Sequence, residues 1–254
     1  MEVARKPFQG VFNVLRFNWH FYLLAGMVIT SWFVLASFFT APWDTWLISL
    51  ALVAFLTTLI SLVVTYWVYD VSDLYQFPWL HAYSAQPPRV ILNVNAGFDE
   101  TSHLLKHHFP DSELHVSDFY DPERHTEISI KRARKAYPPY PGTLRIATAA
   151  LPFPNQTFDI ICLTFAAHEI RDAEERKQFF RELARVVQPG GVLFVTEHLR
   201  DWRNFLAYTI GFFHFYARHT WTQMFQSTGW TLSQEWKVTP FVSTLMLTAD
   251  GNTP

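Results

Sequence analysis

Two long apolar stretches near the start of the chain differ from everything that follows them. Residues 20–39 and 46–69 contain no Asp, Glu, Lys or Arg and are joined by a short loop with one proline. About 20 consecutive apolar residues match the hydrocarbon thickness of a bilayer. Aromatic residues typical of a membrane interface lie near the stretch ends: Trp19, Trp43, Trp46, Tyr66, Trp67 and Tyr69. The pattern predicts a transmembrane hairpin of two helices.

Two other interpretations of these stretches are open. A signal peptide would be shorter and would carry a small-residue cleavage site, and a pair of buried core helices this long would rarely lack charge on every face. Arg5, Lys6 and Arg16 precede the first stretch, whereas the loop between the stretches carries only Asp44. Positive charge favours the cytoplasmic side, so we expect a multi-pass protein with both termini in the cytoplasm.

From about Pro87 the pattern changes to short apolar runs that alternate with charged amphipathic stretches. RVILNVN, ELHVSD, FDIICLTF and GGVLFVTEH predict strands, and DETSHLLKHHF, PERHTEISIKRARKAY and DAEERKQFFRELARVV predict the helices between them. WTQMFQSTG predicts another helix, and WTLSQEWKV and STLMLTA predict two closing strands. Alternating strands and helices favour an α/β fold with a mostly parallel sheet. We expect this domain over residues 87–254, behind an anchor and connector over residues 1–86.

Composition and charge restrict the class of function. Half of the residues are hydrophobic and the formal net charge is only -2, so nothing indicates a basic surface for nucleic acid. The single cysteine, Cys162, lies in an apolar run and is predicted to be buried. One cysteine forms neither an intrachain disulfide nor a thiolate zinc cluster.

Four motifs follow one another in the second region. VILNVNAGFDETS (residues 90–102) has the outline of a nucleotide-binding strand, loop and helix that keeps one glycine, and LHVSD ends in an acid. ALPFPNQTFDIICLTFAAHEI and FFRELARVVQPGGVLFVTEH come next. Their order resembles class I S-adenosylmethionine-dependent methyltransferases, especially the type 11 branch that contains the ubiquinone/menaquinone C-methyltransferases. The resemblance covers residues 89–249 and implies a Rossmann-like methyltransferase fold with S-adenosylmethionine as cofactor.

The resemblance also implies cofactor-binding residues. Asn95, Ala96, Gly97 and Asp99 occupy the first loop, where asparagine and aspartate tolerate the positive φ of a tight turn. A negative charge at Asp99 suits a cationic sulfonium and would repel a pyrophosphate, which disfavours NAD or FAD. Asp118 takes the place of the acid that accepts the ribose hydroxyls. The other implied cofactor positions are Thr148, which replaces an acid, Leu151 and Phe165.

Candidate catalytic residues follow the fourth and fifth strands. Methyl transfer requires alignment, exclusion of water and, for some acceptors, a base. His168 and His198 are candidate bases because imidazole titrates near neutral pH, and Glu169 is a candidate to orient His168 or bind ligand. A structural hydrogen bond in a turn is an equal alternative for each histidine. The grouping has no recognised metal-ligand spacing, so the sequence predicts no metal.

An aromatic segment after the fifth strand, residues 204–221, is too short to span a bilayer. By analogy with the resembling family we expect it to cover an apolar substrate, although packing against the sheet or anchor is an alternative. Nearby basic residues are candidates to bind a phosphate, carboxylate or lipid head group, unless they form a solvated rim. These substrate candidates are Arg200, Arg203, His214, Arg218 and His219.

Several functions are compatible with this reading. The leading hypothesis is a membrane-anchored S-adenosylmethionine-dependent methyltransferase acting on a lipid or lipid-linked small molecule such as a prenylated quinone, with the bilayer and that substrate as partners. Alternatives are N-methylation of a phospholipid head group, transfer of a group other than methyl, and a membrane-tethered pseudo-methyltransferase that acts as a scaffold. The altered first loop favours the last of these, and the retained Asp118 argues against it.

Overall fold

A seven-stranded sheet forms the centre of the protein. The computed structural model describes residues 5–83, 87–125 and 127–250. The strands are β1 (Val90–Asn95), β2 (Glu113–Asp118), β3 (Leu144–Arg145), β4 (Phe158–Thr164), β5 (Val187–His198), β6 (Trp230–Thr239) and β7 (Val242–Ala249). Their order in the sheet is β3-β2-β1-β4-β5-β7-β6. β1 to β5 pair in parallel, whereas β7 runs antiparallel to both of its neighbours.

Helices precede the sheet and connect its strands. They are α1 (Gln9–Phe17), α2 (Trp19–Ala36), α3 (Trp43–Tyr66), α4 (Pro78–Tyr83), α5 (Ser102–His108), α6 (Ile128–Ala136), α7 (Ala173–Val186), α8 (Trp202–Tyr208) and α9 (Arg218–Ser227). Short turns of other types occupy Trp67–Val71, Asp73–Gln76, Ala167–Glu169 and Thr209–His214. The crossover helices cover both sheet faces, because parallel strands need such connections.

The sheet separates two hydrophobic cores. Alternate residues of a strand face opposite sides, so β4 contributes Ile161 to one core and Ile160 to the other. α7 and α9 cover the first core, with Phe180 and Trp221 fully buried. α5 and the segment after α3 cover the second core. Burial on both faces explains why the strands are continuous apolar runs rather than alternating ones.

The α/β architecture predicted from the sequence is confirmed, and all six predicted strands are present. β5 begins earlier than expected, and Gly191 lets it pass close to β4, since a Cβ there would lie 2.8 Å from the carbonyl oxygen of Phe158. α6 is shorter than the predicted helical stretch. His125 Nδ1 accepts a hydrogen bond from the backbone N–H of Asp121 at 2.9 Å, and this turn delays the helix.

α2 and α3 are long and apolar enough to cross a bilayer, judged by length and composition. They begin and end a few residues before the predicted bounds of 20–39 and 46–69. Their few buried residues are Ala36 in α2 and Ala51, Val64 and Thr65 in α3. Most of their large apolar side chains are exposed in the folded chain. Helices that are apolar on every side and unburied by protein are expected to face lipid.

The segment after α3 belongs to the core of the sheet domain. Leu74, Phe77 and Trp79 are buried against the same strands as α5. The predicted boundary between the connector and the domain lies in AYSAQPPR, residues 82–89, and falls partly on residues 84–86, which lie outside the described residues. The domain boundary at residue 87 therefore remains a prediction.

α1 was not predicted, and it packs against the end of α3. Asp70 accepts hydrogen bonds from the backbone N–H groups of Gly10 at 2.7 Å and Val11 at 2.9 Å. The carboxylate thereby satisfies donors in the first turn of α1. Gly10 is required for this approach because a Cβ there would collide with the Cβ of Tyr69.

Candidate cofactor cleft and active site

The loop after β1 forms a tight turn at the carboxyl edge of the sheet. Gly97 has a φ of 95°, and its backbone N–H donates to Asn95 Oδ1 at 3.0 Å. Asp99 Oδ1 accepts hydrogen bonds from the backbone N–H groups of Thr101 at 3.0 Å and Ser102 at 2.9 Å, at the start of α5. Asparagine and aspartate thus stabilise the turn through their side chains at the positions where glycines are missing.

Asp118 lies beside this loop and pairs with an arginine. β1 and β2 place Asn95 opposite Asp118. Asp118 Oδ2 accepts a hydrogen bond from Arg134 Nη1, and its Oδ1 accepts one from the backbone N–H of Tyr120 at 2.9 Å. The Arg134 guanidinium lies 4.6 Å from the centre of the Tyr120 ring. A Cβ on Gly97 would lie 2.8 Å from Arg134 Nη1, so this side chain fills the space between the loop and the acid.

A small cleft of about 50 Å³ remains at this place. Its lining residues are Asn95, Gly97, Phe98, Asp99, Asp118, Arg134, Tyr137, Pro138 and Pro139. Ligand pockets have volumes of about 300 Å³ or more, so a nucleoside cofactor requires Arg134 to withdraw. The remaining groups fit S-adenosylmethionine: Asp118 offers a carboxylate to ribose hydroxyls, and Asp99 Oδ2 is buried without a hydrogen-bond partner, which suits a cationic ligand.

Four other predicted cofactor residues have partners within the protein or are buried. Ala96 and Leu151 are buried in the first core. Thr148 Oγ1 donates to Glu175 Oε1 at 2.6 Å. Phe165 has a φ of 50°, and its ring stacks on the imidazole of His198 at the end of β5. Their contacts with a cofactor remain predictions.

A buried cluster of histidine and glutamate follows β4. The turn Ala167–Glu169 places His168 Nδ1 2.6 Å from Glu197 Oε2, at the end of β5, and His168 Nε2 3.2 Å from Glu169 Oε1. Burial alone would lower the pKa of His168, but the two carboxylates outweigh burial and raise it to about 10. His168 is therefore cationic at neutral pH. In that form the imidazole carries a positive charge and cannot act as a base.

His214 joins this cluster from the turn after α8. Its Nε2 lies 3.8 Å from Glu169 Oε1, and its Nδ1 lies 3.4 Å from Glu127 Oε1. Burial favours the neutral form of Glu169, but hydrogen bonds from His168 and His214 keep its pKa well below the usual range. The structure thus brings His214, a predicted substrate residue, together with His168 and Glu169, two predicted catalytic residues. A cavity of about 480 Å³ opens beside them and is lined by Arg124, His125, Arg171, Asp172 and Glu175.

His198, the other candidate base, lies in a different environment at the end of β5. Its Nδ1 is 3.0 Å from the carbonyl oxygen of Phe241, so Nδ1 carries the proton and Nε2 accepts a hydrogen bond from the Tyr69 hydroxyl at 2.9 Å. Its ring lies between Phe165 and Phe215, with ring centres 5.1 and 4.8 Å away. Burial lowers the pKa of His198 to about 4. With both nitrogens occupied, this histidine is placed to position other groups.

The remaining predicted substrate residues lie around the segment after α8. Arg200 donates to two backbone carbonyls of that segment, both at 2.6 Å. Arg218 pairs with Glu235, with 3.1 Å between Nε and Oε2. Arg203 lies over a tryptophan ring, and His219 is exposed. A role for these four residues in substrate binding remains a prediction.

Residues that the sequence analysis missed connect α1 to the cofactor loop. Arg5 Nη1 lies 3.0 Å from Glu100 Oε1, and the Phe17 ring contacts the Phe98 ring with centres 5.5 Å apart. Asn13 Oδ1 accepts a hydrogen bond from the Tyr137 hydroxyl at 2.8 Å. The period of apolar residues over residues 8–17 is the sequence signal for this helix.

The chain is similar to known methyltransferases in sequence and in fold. Residues 101–195 match the family model of a methyltransferase domain. The structure of PH0226 from Pyrococcus horikoshii OT3 aligns with a TM-score of 0.53 and 16% identity, over 70% of this chain and 89% of that one. A SAM-dependent methyltransferase from Aquifex aeolicus aligns with a TM-score of 0.50 and 16% identity, over 75% and 97%. At such identity these structures show the fold alone.

Curated relatives add a more specific likeness. The ubiquinone/menaquinone biosynthesis C-methyltransferase UbiE of Geobacter sulfurreducens is 37% identical over 73 residues, which are 28% of this chain and 27% of that protein. UbiE of Citrobacter koseri is 44% identical over 48 residues, which are 19% and 18%. The chain thus spans about a quarter or less of these relatives. The family match, the relatives and the fold support a class I S-adenosylmethionine-dependent methyltransferase, with S-adenosylmethionine as cofactor.

Proposed function

We propose that the protein is a membrane-anchored methyltransferase that transfers a methyl group from S-adenosylmethionine to an apolar or lipid-linked small molecule such as a prenylated quinone. The observation that carries the proposal is the contact between the hairpin and the carboxyl edge of the sheet. Tyr69, just after α3, donates to His198 at the end of β5. The edge that carries the cofactor loop therefore lies next to the end of a helix suited to a bilayer.

An exposed apolar surface beside α3 supports a lipid-linked acceptor. α8 packs against α3, and the turn after α8 packs against α8. Large apolar side chains on these elements are exposed: Trp202, Phe205, Leu206, Ile210 and Phe213. Such a surface beside two apolar helices suits the boundary between lipid and water. An acceptor with a long apolar part would reach the site from the bilayer, and the relatives named for ubiquinone and menaquinone biosynthesis agree with this choice.

The residues have separate roles in this proposal. Asn95, Gly97, Asp99 and Asp118 would hold the cofactor once Arg134 withdraws, and the cofactor would supply an electrophilic methyl group. His168, held as a cation by Glu197, stabilises negative charge on an acceptor oxygen. Glu169 orients His168, while His198 fixes the end of β5 through its two hydrogen bonds. The protein thus aligns the acceptor and stabilises its anionic form.

A second candidate function is favoured by one observation. The Arg134 side chain fills the cleft and pairs with Asp118, as it would in a domain that has lost its cofactor. The protein would then be a membrane-tethered binding module. Binding of the cofactor separates the two candidates.

Calorimetric titration of the full-length protein in detergent with S-adenosylmethionine tests the proposal. We expect micromolar binding that Asp118→Ala abolishes. Asp111→Ala removes an exposed carboxylate from the turn just before the same strand and should leave binding intact. Absence of binding to folded wild-type protein would contradict the enzyme proposal and favour the tethered module.

Membrane topology is tested by cysteine labelling. Burial raises the pKa of Cys162 to about 12, so the natural thiol is shielded from maleimide reagents. For a hairpin with both termini in the cytoplasm, an impermeant maleimide should label Thr40→Cys in intact cells. Gln226→Cys, exposed on α9, should react only after permeabilisation. Labelling of Gln226→Cys in intact cells would overturn the proposed topology.

A further inference from the structure

We propose that His168, Glu169 and His214 form a binding site for one divalent transition-metal ion, for which Zn²⁺ has the best-matching chemistry. The candidate ligand atoms of the three side chains lie within 4.8 Å of one another. Glu169 Oε1 is 3.2 Å from His168 Nε2 and 3.8 Å from His214 Nε2. Two imidazoles and one carboxylate are a ligand set of zinc sites that keep a position open for water or substrate. The inference does not require methyl transfer, and an ion bound at His168 would replace the proton of that cation and hold positive charge at the same place.

A carboxylate lies on the far side of each imidazole. His168 Nδ1 is 2.6 Å from Glu197 Oε2, and His214 Nδ1 is 3.4 Å from Glu127 Oε1. A carboxylate at Nδ1 keeps a proton on that nitrogen, so that Nε2 faces the metal, and the ion would displace the proton that Nε2 of the cationic His168 carries. Both Nε2 atoms point to the same carboxylate, that of Glu169. The outer partner of a metal-binding histidine is thus present at His168, and it becomes available at His214 once Arg171, whose Nη2 lies 2.5 Å from His214 Nδ1, withdraws.

Glu169 is a buried acid with an unused oxygen. The residue is 4% exposed, and its Oε2 is buried without a hydrogen-bond partner. Leaving a buried carboxylate oxygen without a partner destabilises the folded protein. A cation bound at Glu169 would remove that cost. The carboxylates of Glu127 and Glu197 lie in the same cluster, so a divalent ion would also offset their charge.

Two side chains must adjust for the ion to bind. In a tetrahedral site with bonds of about 2.1 Å, ligand atoms lie about 3.4 Å apart. The pair formed by His168 and Glu169 has this separation already, whereas His214 must approach. Arg171 Nη2 lies 2.8 Å from His214 Nε2 and must withdraw. Arg171 is 38% exposed, and Glu127 Oε1 at 3.9 Å offers it another partner. The neighbouring cavity of about 480 Å³ provides access.

The sequence has no metal-ligand spacing that predicts this site. Its ligands come from the turns after β4 and α8, which lie together only in the folded protein. His214 lies 45 positions after Glu169 in the chain. The sequence alone therefore predicts no metal, and from the sequence His214 is only a candidate to bind substrate.

Titration with Co²⁺ tests the proposal in full-length, chelator-treated protein in detergent without S-adenosylmethionine. Co²⁺ is a spectroscopic probe of such sites, and we expect visible absorption bands at one equivalent that Zn²⁺ abolishes and Mg²⁺ does not. His214→Ala and Glu169→Gln should each weaken binding by more than about 100-fold. Glu127→Gln, an outer partner, should weaken it about tenfold. Arg171→Gln should tighten binding, an effect that loss of a merely structural contact would not produce.

A surface histidine provides the matched control. His107 is exposed on α5, with the His108 ring 6.0 Å away, and it could bind metal adventitiously. Binding that persists in folded His214→Ala, or that disappears in His107→Ala, would overturn the proposal. Cofactor binding is measured separately, so failure of this site leaves the proposed methyltransferase function untouched, and the reverse also holds.

Discussion

His168 follows β4 and His198 ends the neighbouring strand β5. Both are buried to a similar extent, at 8% and 5% exposure, yet their pKa values move in opposite directions. Burial favours the neutral form of both. His168 faces the carboxylates of Glu169 and Glu197, which raise its pKa to about 10. His198 lies between aromatic rings and meets a hydroxyl and a carbonyl, so burial prevails and its pKa falls to about 4. The partners, rather than the depth of burial, decide whether the imidazole carries charge.

The largest expected effect on stability comes from removing a carboxylate partner of the cationic His168. Glu197→Gln leaves a buried imidazolium with one carboxylate fewer, and we expect the free energy of unfolding to fall by about 3–5 kcal/mol. Thermal unfolding in detergent measures the change. Glu174→Gln breaks an exposed ion pair with Lys177 and should cost no more than about 1 kcal/mol. Equal losses in the two variants would show that His168 does not depend on Glu197.

The neutral state of His198 predicts that the folded protein loses stability in acid. His198 has a lower pKa in the folded protein than its usual 6.5, so the unfolded chain binds more protons at intermediate pH. The free energy of unfolding should therefore fall as the pH drops from 6.5 to about 4, by up to about 3 kcal/mol from this residue. Unfolding measured across that range should show a shallower dependence in His198→Gln. An unchanged slope would mean that His198 is protonated in the folded state.

A smaller change tests what keeps His198 neutral. Tyr69→Phe removes the hydroxyl that donates to Nε2 and leaves that nitrogen without a partner. We expect a loss of about 1–2 kcal/mol in the free energy of unfolding. Tyr66→Phe, in the preceding helical turn and at the protein surface, should change it by less than about 0.5 kcal/mol. If the two substitutions behave alike, the hydrogen bond does not stabilise the fold.

The smallest expected effect concerns Asp118. Like His168, it carries a charge that a neighbour balances, in this case Arg134. Arg134→Ala frees this carboxylate and empties the cleft. If the lost ion pair is worth about 1 kcal/mol, S-adenosylmethionine should bind about fivefold tighter. Calorimetry measures the affinity, with Lys135→Ala, an exposed residue of the same helix, as the control. Weaker binding in Arg134→Ala would instead identify Arg134 as a ligand of the cofactor.

The sheet was predictable because its strands are apolar runs separated by turn residues. FDIICLTF and GGVLFVTEH became β4 and β5, and the amphipathic period of DAEERKQFFRELARVV became α7. α1 has an amphipathic period too, but the longer apolar stretches after it dominated the pattern. Its Asp70 contact joins residues 60 positions apart, which no local pattern reveals.

The site was less predictable, because its contacts depend on strand register. His168 and Glu169 were identified together, but the partner Glu197 lies on the next strand. His198 was a reasonable candidate base from its position after the fifth strand. Its two hydrogen-bond partners, Tyr69 and Phe241, come from opposite ends of the chain. Arg134 carries no mark in the sequence that separates it from the other basic residues of its helix.

The clasp of Asp70 on the first turn of α1 has a consequence for how the protein would find its substrate. It ties the start of the chain to the end of α3, and α1 in turn touches the cofactor loop through Phe17 and Phe98. In the proposed membrane setting, the catalytic domain cannot pivot freely on a loose tether. Its height above the lipid and its tilt are fixed, so encounter becomes a search in two dimensions by molecules diffusing within the leaflet. The choice of substrate would then depend on the depth of the acceptor's reactive ring in the bilayer as much as on the shape of the acceptor.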